Sequence, residues 1–224
     1  MQANYVQRLR LTFSKMGPTR YISHLDLART LERALNRARI PVSYTQGFNR
    51  RPRMQIAAAL PLGYTSDSEL ADVWLEEKME PERVRRQLMA KMAPGITIHQ
   101  VEEVPLSELA LQTRTAEASY VATVLDPVDV TDLQRRIDAL LAANSLVRQR
   151  GRGRKRKEYD LRPLIYDLRL AATANGLVQI HMRLALMPAE TGRPDEVLLA
   201  LGLDPLAARI HRTGIVLANE RVDL

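Results

Sequence analysis

The sequence predicts an α+β fold built from two tandem ferredoxin-like (βαββαβ) modules with antiparallel sheets. Three observations predict it. Alternating apolar and polar stretches flank stretches of helical period. The order strand, helix, two strands, helix, strand can be traced twice. A chain of 224 residues is long enough for two small domains. The expected division is 1–104, a linker at 105–116, and 117–224. No identity between the halves is visible, so the repeat is one of topology.

In the first half, Val6, Arg8, Arg10 and Thr12 alternate with Gln7, Leu9, Leu11 and Phe13, which predicts a strand with one half-buried face. Gly17-Pro18 ends it. Ser23 stands at a helix N-cap with Asp26 in the acidic place of a capping box. Leu27, Leu31, Leu35 and Ala38 then recur at helical spacing, and Pro41 ends the helix near Arg39. A short strand-like stretch (42–45), a loop (46–53) and strands at 54–60 and 69–77 follow. A helix at 80–92 starts on Pro81, and a strand at 96–104 closes the module.

The second half repeats this outline. It has a strand at 118–125, a helix capped by Asp129 or Thr131 running to about Ala143, and a strand at 145–150 entering a basic loop. A hairpin of 164–172 with 177–186 turns on Ala174-Asn175-Gly176. A helix from Pro194 ends at Gly202, and the last strand is 208–217.

Charge is placed unevenly. Residues 1–53 hold eleven Lys/Arg against two acids, a net +9, whereas the whole chain carries only +7. Residues 148–162 hold eight Lys/Arg against two acids, and residues 54–104 are net acidic at −4. A pI near 10 admits nucleic acid, acidic headgroups or an acidic protein as partner. Of the nineteen cations in the two basic stretches only three are Lys. Arginine's planar fork matches phosphate and also stacks on bases, which suits RNA.

The nucleic-acid candidates are therefore Arg20, Arg29, Arg33, Arg37, Phe48, Asn49, Arg50, Arg51 and Arg53, and then Arg148, Arg150, Arg152, Arg154, Lys155, Arg156, Lys157 and Arg162. Arg29, Arg33 and Arg37, spaced i, i+4, i+8, fit a phosphate-binding stripe or a solvated helix face paired with Glu32. Tyr21, Tyr44, Phe48 and Tyr159 are stacking platforms or packed strand ends.

Cysteine is absent, which excludes disulfides, thiolate metal sites, iron–sulfur clusters and a cysteine nucleophile. No metal spacing, P-loop or serine elbow is present, so neither metal nor cofactor is expected. No signal core or membrane-length apolar run occurs, and a cytoplasmic protein is expected. His24, close to Arg20 and Tyr21, is either a general base toward a ribose hydroxyl or a structural residue near a cap. His99, His181 and His211 read as sheet residues.

The runs Tyr21-Ile-Ser-His-Leu-Asp26, Gln46-Gly-Phe-Asn49, Pro52-Arg53 and Leu60-Pro-Leu-Gly63 resemble a bacterial radical-SAM-linked protein family, a domain of unknown function. Asp160-Leu-Arg-Pro163 and Arg212-Thr213 resemble its second-half motifs. Arg50 departs from the proline expected after Gly-Phe-Asn. The resemblance implies work beside a radical SAM protein. It also singles out Tyr21, His24, Asp26, Gln46, Gly47 and Asp160 as motif positions of unassigned role. The tandem outline is similar, at the level of fold, to CRISPR repeat-associated RNA-binding proteins. The expected function is a non-catalytic RNA-binding accessory protein of a radical SAM enzyme in RNA modification. The alternatives are a metal-independent endoribonuclease using His24 and a protein-interaction subunit without RNA contact.

Overall fold

The structure, a computed structural model, describes residues 5–46, 48–150, 157–172 and 176–218. It is a mixed α+β protein with a mostly antiparallel sheet, and the described residues contain five α-helices and ten strands. They fall into two compact units, one running to Thr115 and rejoined by the chain from Leu217, the other spanning Ala116–Val216. No helix among the described residues is long and apolar enough to cross a membrane.

The first unit contains β1 (Gln7–Lys15), α1 (His24–Arg37), β2 (Met54–Ile56), β3 (Thr65–Leu75), α2 (Pro81–Met89) and β4 (Ile96–Val104). β1 lies between β4 and β3, and β2 pairs with the far side of β3. The register is set by burial: Leu11 sits opposite Ala71 and Val101, because a one-residue slip would turn every apolar side chain to the other face. Leu9, Leu11 and Phe13 of β1 join Leu27, Leu31 and Leu35 of α1 and Val84 and Leu88 of α2 in one core.

The ends of α1 follow from its sequence. Ser23 Oγ accepts from Asp26 N–H at 3.2 Å and donates to Asp26 Oδ2 at 2.7 Å. Beyond the helix Arg39 takes φ 52°, the left-handed turn that lets the chain reverse before Pro41. Gly95 is required for a different reason. Its φ is +90°, and a Cβ there would meet Met16 O at 2.5 Å.

One expectation for this unit is corrected. The alternation of β1 predicts a strand with one half-buried face, yet on its other face Arg8 and Arg10 are 1% and 5% exposed. Within the expected linker at 105–116 lies a short helix, α3 (Leu111–Arg114). The same segment also supplies the groups that cover the arginine face: Arg8 donates to Glu108 O at 2.6 Å and to Leu109 O at 2.9 Å.

The second unit contains β5 (Thr115–Val124), α4 (Val130–Ala142), β6 (Val147–Arg150), β7 (Lys157–Asp160), β8 (Ile165–Ala172), β9 (Val178–Ala185), α5 (Pro194–Ala200) and β10 (Ala208–Leu217). Within it the strand order is β10-β5-β9-β8. Ala118, Tyr120, Ala122, Ile180, Met182 and Leu184 are buried on one side of the sheet, and Leu133 and Ile137 of α4 are buried too. The strand expected at 145–150 is not part of this sheet. As β6 it pairs with β7 in a separate two-stranded ribbon, Arg148 opposite Tyr159 and Arg150 opposite Lys157. The Asn175 of the expected hairpin turn lies outside the described residues.

Candidate nucleic-acid interface

The amphipathic pattern of α1 leaves one side of the helix for solvent. Leu27, Leu31, Ala34 and Leu35 are buried, and Arg29, Arg33 and Arg37 are exposed on the opposite side. Arg29 makes an exposed ion pair with Asp26 at 3.4 Å, a contact of little energetic weight. Arg37 donates to Lys91 O at 2.8 Å. Arg33 has no ion pair among the described residues, and the same holds for Arg39, Arg50 and Arg51. Asn49, Arg50, Arg51 and Gln46 are all exposed in the loop that follows, and Phe48 stands wholly in solvent there. Gly47 lies outside the described residues.

The other motif residues sit at the start of α1. Arg20 and Gly63 bond reciprocally, Gly63 N–H to Arg20 O at 2.8 Å and Arg20 Nε to Gly63 O at 3.1 Å. That pairing draws the turn at Gly17–Tyr21 against the Leu60-Pro-Leu-Gly63 turn. Lys15, 1% exposed, approaches Tyr64 O at 3.4 Å and Arg20 O at 3.5 Å from beneath. Tyr21, Leu25 and Leu62 of these segments are each more than 60% exposed, and the Arg20 guanidinium lies 5.4 Å from the Tyr21 ring centre.

His24 is half-buried at the first helical position. The Asp26 carboxylate beside it is bonded to Ser23 and Arg29. The Ser23 hydroxyl, assisted by Arg29, holds that carboxyl below its ordinary range.

Several expected interface residues are occupied in packing. The Arg53 guanidinium lies 4.6 Å from the Tyr5 ring centre and 5.2 Å from that of Trp74, stacking that a planar cation makes with aromatic faces. Arg162 donates to Leu141 O at 2.7 and 3.2 Å and to Ile165 O at 2.9 Å, capping the last turn of α4. Asp160 Oδ1 accepts from Leu146 and Arg162 N–H at 2.7 and 2.9 Å, and those two bonds pull its carboxyl below the usual range. Arg148 reaches Glu196 at 3.4 Å. Arg152, Arg154, Lys155 and Arg156 lie outside the described residues, and of Arg150 and Lys157 only the backbone pairing is described.

Two features escaped the sequence reading. The first is the buried charge cluster of the first unit. Asp72, fully buried, accepts from Arg8 Nη2 at 2.5 Å and from Arg10 Nε at 2.9 Å, and Glu108 pairs with Arg10 at 3.1 Å and with Arg114. Arg8 and Arg10 thus belong to the interior and not to the basic surface. The second is a cleft of about 460 Å³ in the second unit, lined by Glu158, Tyr159, Asp160, Pro163, Glu190 and Thr191 among others. Its carboxylates would repel phosphate. Among the described residues no group of three or more His, Asp or Glu is placed to hold a metal ion.

The arrangement is thus an α+β protein that presents exposed arginines on α1 and along the loop after it. Residues 8–194 match the family described as "Uncharacterized protein conserved in bacteria (DUF2344)", and the chain belongs to that family. No curated protein sequence matches it.

Among solved structures it is similar to a chain of a Cbf5–Nop10–Gar1 complex, at 10% identity and a TM-score of 0.47, over 96% of this chain and 50% of that one. It is also similar to a chain of an H/ACA RNP bound to a substrate RNA containing 2′-deoxyuridine, at 12% identity and a TM-score of 0.46, over 99% of this chain and 50% of that one. An archaeal box H/ACA sRNP Nop10–Cbf5 complex gives 10% identity and a TM-score of 0.45, with coverages of 98% and 50%. The chain spans about half the length of each of these.

Proposed function

We propose that this protein is a non-catalytic RNA-binding accessory protein that works with a radical SAM enzyme in RNA modification. One observation carries the RNA reading: Arg33, Arg39, Arg50 and Arg51 are exposed, without ion pairs among the described residues, on α1 and the loop that follows. Unpaired guanidiniums at that density form a cradle for a phosphate backbone. The radical SAM partnership is supported by the sequence motifs, Tyr21–Asp26 and Gln46–Asn49 above all. We also read both units as ferredoxin-like modules. In each, the first strand lies between the last and the third, β4-β1-β3-β2 in one and β10-β5-β9-β8 in the other. The β6–β7 ribbon is then an insertion between α4 and β8.

The test is fluorescence anisotropy with labelled RNA across a salt series. Replacing Arg29, Arg33, Arg37 and Arg51 together with Ala should lower affinity by on the order of a hundredfold at low salt and flatten the salt dependence. Unchanged affinity would overturn the reading. RNA cleavage in the presence of chelator that disappears in His24→Ala would replace it with the nuclease reading.

A further inference from the structure

The loop that carries Phe48 is closed at its base. Thr45 N–H donates to Arg51 O at 2.8 Å, Arg51 N–H donates to Thr45 Oγ1 at 3.1 Å, and Tyr44 pairs with Pro52 in an antiparallel bridge. That base is fastened to α1, where Tyr44 Oη donates to Asn36 Oδ1 at 2.9 Å. Asn36 precedes Arg37 and lies one turn beyond Arg33, so the hydrogen bond ties the loop to the arginine stripe. The Arg50 guanidinium lies 6.0 Å from the Tyr44 ring centre. Between these paired ends Phe48 stands wholly exposed. A phenylalanine side chain that stands in water gains none of the stabilisation that burial would give it.

We propose that this loop and the exposed side of α1 form one site for unpaired RNA, with phosphates along Arg33 and Arg37 and one base stacked on Phe48. The inference rests on the RNA reading above and adds the strandedness of the ligand. In a duplex both faces of each base are covered by its neighbours, and the deep groove of A-form RNA admits no side chain. A ring that stands alone beside cations therefore selects a nucleotide whose base is splayed out. Base–aromatic stacking is tolerant of sequence, so the site discriminates by strandedness and not by base identity.

The experiment uses the full chain with a fluorescent, unstructured RNA single strand of about 12 nucleotides and a blunt duplex of the same length, by anisotropy at low salt. The single strand should bind roughly tenfold tighter than the duplex. Phe48→Ala should remove about that factor for the single strand alone, with its salt slope unchanged. Arg33→Ala combined with Arg37→Ala should weaken both ligands and flatten both salt slopes. Phe48→Trp should restore affinity, and its fluorescence should be quenched by the single strand. Trp74 is 5% exposed, so the quenching reports position 48. Equal affinity for both ligands, or a Phe48→Ala loss shared by both, overturns the strandedness and leaves RNA binding standing. If neither ligand binds, the RNA reading falls and this inference falls with it.

Discussion

On the sheet of the first unit, the side turned away from α1 and α2 is buried along β1 and β3, although Gln100 and Glu102 of β4 on the same side are exposed. Arg8, Arg10, Leu70, Asp72 and Trp74 all lie under 10% exposed there. On the sheet of the second unit, the corresponding side carries Ser119, Val121, Thr123, Gln179, His181, Arg183 and Arg169, all partly or fully exposed. The strand orders are the same, so topology does not decide the fate of a sheet's second face. A covering segment does. Residues 105–114 bring Glu108, the Leu109 carbonyl and Arg114 over the first unit's arginines. In the second unit the charges are reversed between the strands: Glu117 of β5 pairs with Arg183 of β9, which is half in water, at 2.6 Å. Cation and acid are thus both enclosed in one unit, whereas in the other the acid is buried and its cation reaches water.

The largest test of that contrast is Asp72→Ala. It leaves two buried guanidiniums without their shared carboxylate, and the expected destabilisation is about 3–5 kcal/mol. The chain's single tryptophan, Trp74, reads it directly, because Arg8 and Arg53 lie against its ring. The denaturant midpoint followed by tryptophan emission should fall. Glu117→Ala should cost about 1 kcal/mol, since Arg183 is free to turn to solvent. It should leave the tryptophan midpoint in place while circular dichroism shifts. Equal losses from the two substitutions would break the comparison.

A third test concerns the helix that carries the arginine stripe. Ser23→Ala removes the cap of α1 and should cost about 1 kcal/mol, seen in the tryptophan midpoint and in faster amide exchange over the first turn. The smallest effect is on pH. The carboxyls of Asp26 and Asp160 are both depressed in the fold, by Ser23 in one case and by the Leu146 and Arg162 amides in the other. Their contribution is fully present above the ordinary aspartate value of about 3.9 and is lost as pH falls through the depressed folded values. An acid titration of each unit should therefore show its loss below about pH 4. Asp160→Asn should remove part of that dependence without moving the tryptophan signal.

These contrasts also mark what the sequence made legible. The α1 cap, its arginine stripe and the loop after it were readable because each depends on neighbours within four residues: Ser23 with Asp26, and Arg29, Arg33 and Arg37 with one another. The fate of Arg8 and Arg10 was not. Alternation separates polar from apolar positions, and a buried ionic face has the same pattern as a wet one. Their partners come from 62 to 101 residues further along the chain. The stacking of Arg53 was not legible for the same reason, since its aromatic partners Tyr5 and Trp74 lie elsewhere in the sequence. The short strand β7 was hidden inside a stretch whose charge reads as loop.

The buried cluster of Arg8, Arg10, Asp72, Glu108 and Arg114 also bears on how this protein can change over generations. An apolar replacement of the whole set would fold as well or better. No single step leads there, because each lone substitution strands a charge that its former partners had balanced, and such neighbours do not contribute independently. The cluster is therefore easier to inherit than to edit. Descendants of this chain should vary freely at Arg169 or His181 while these five residues change together or not at all.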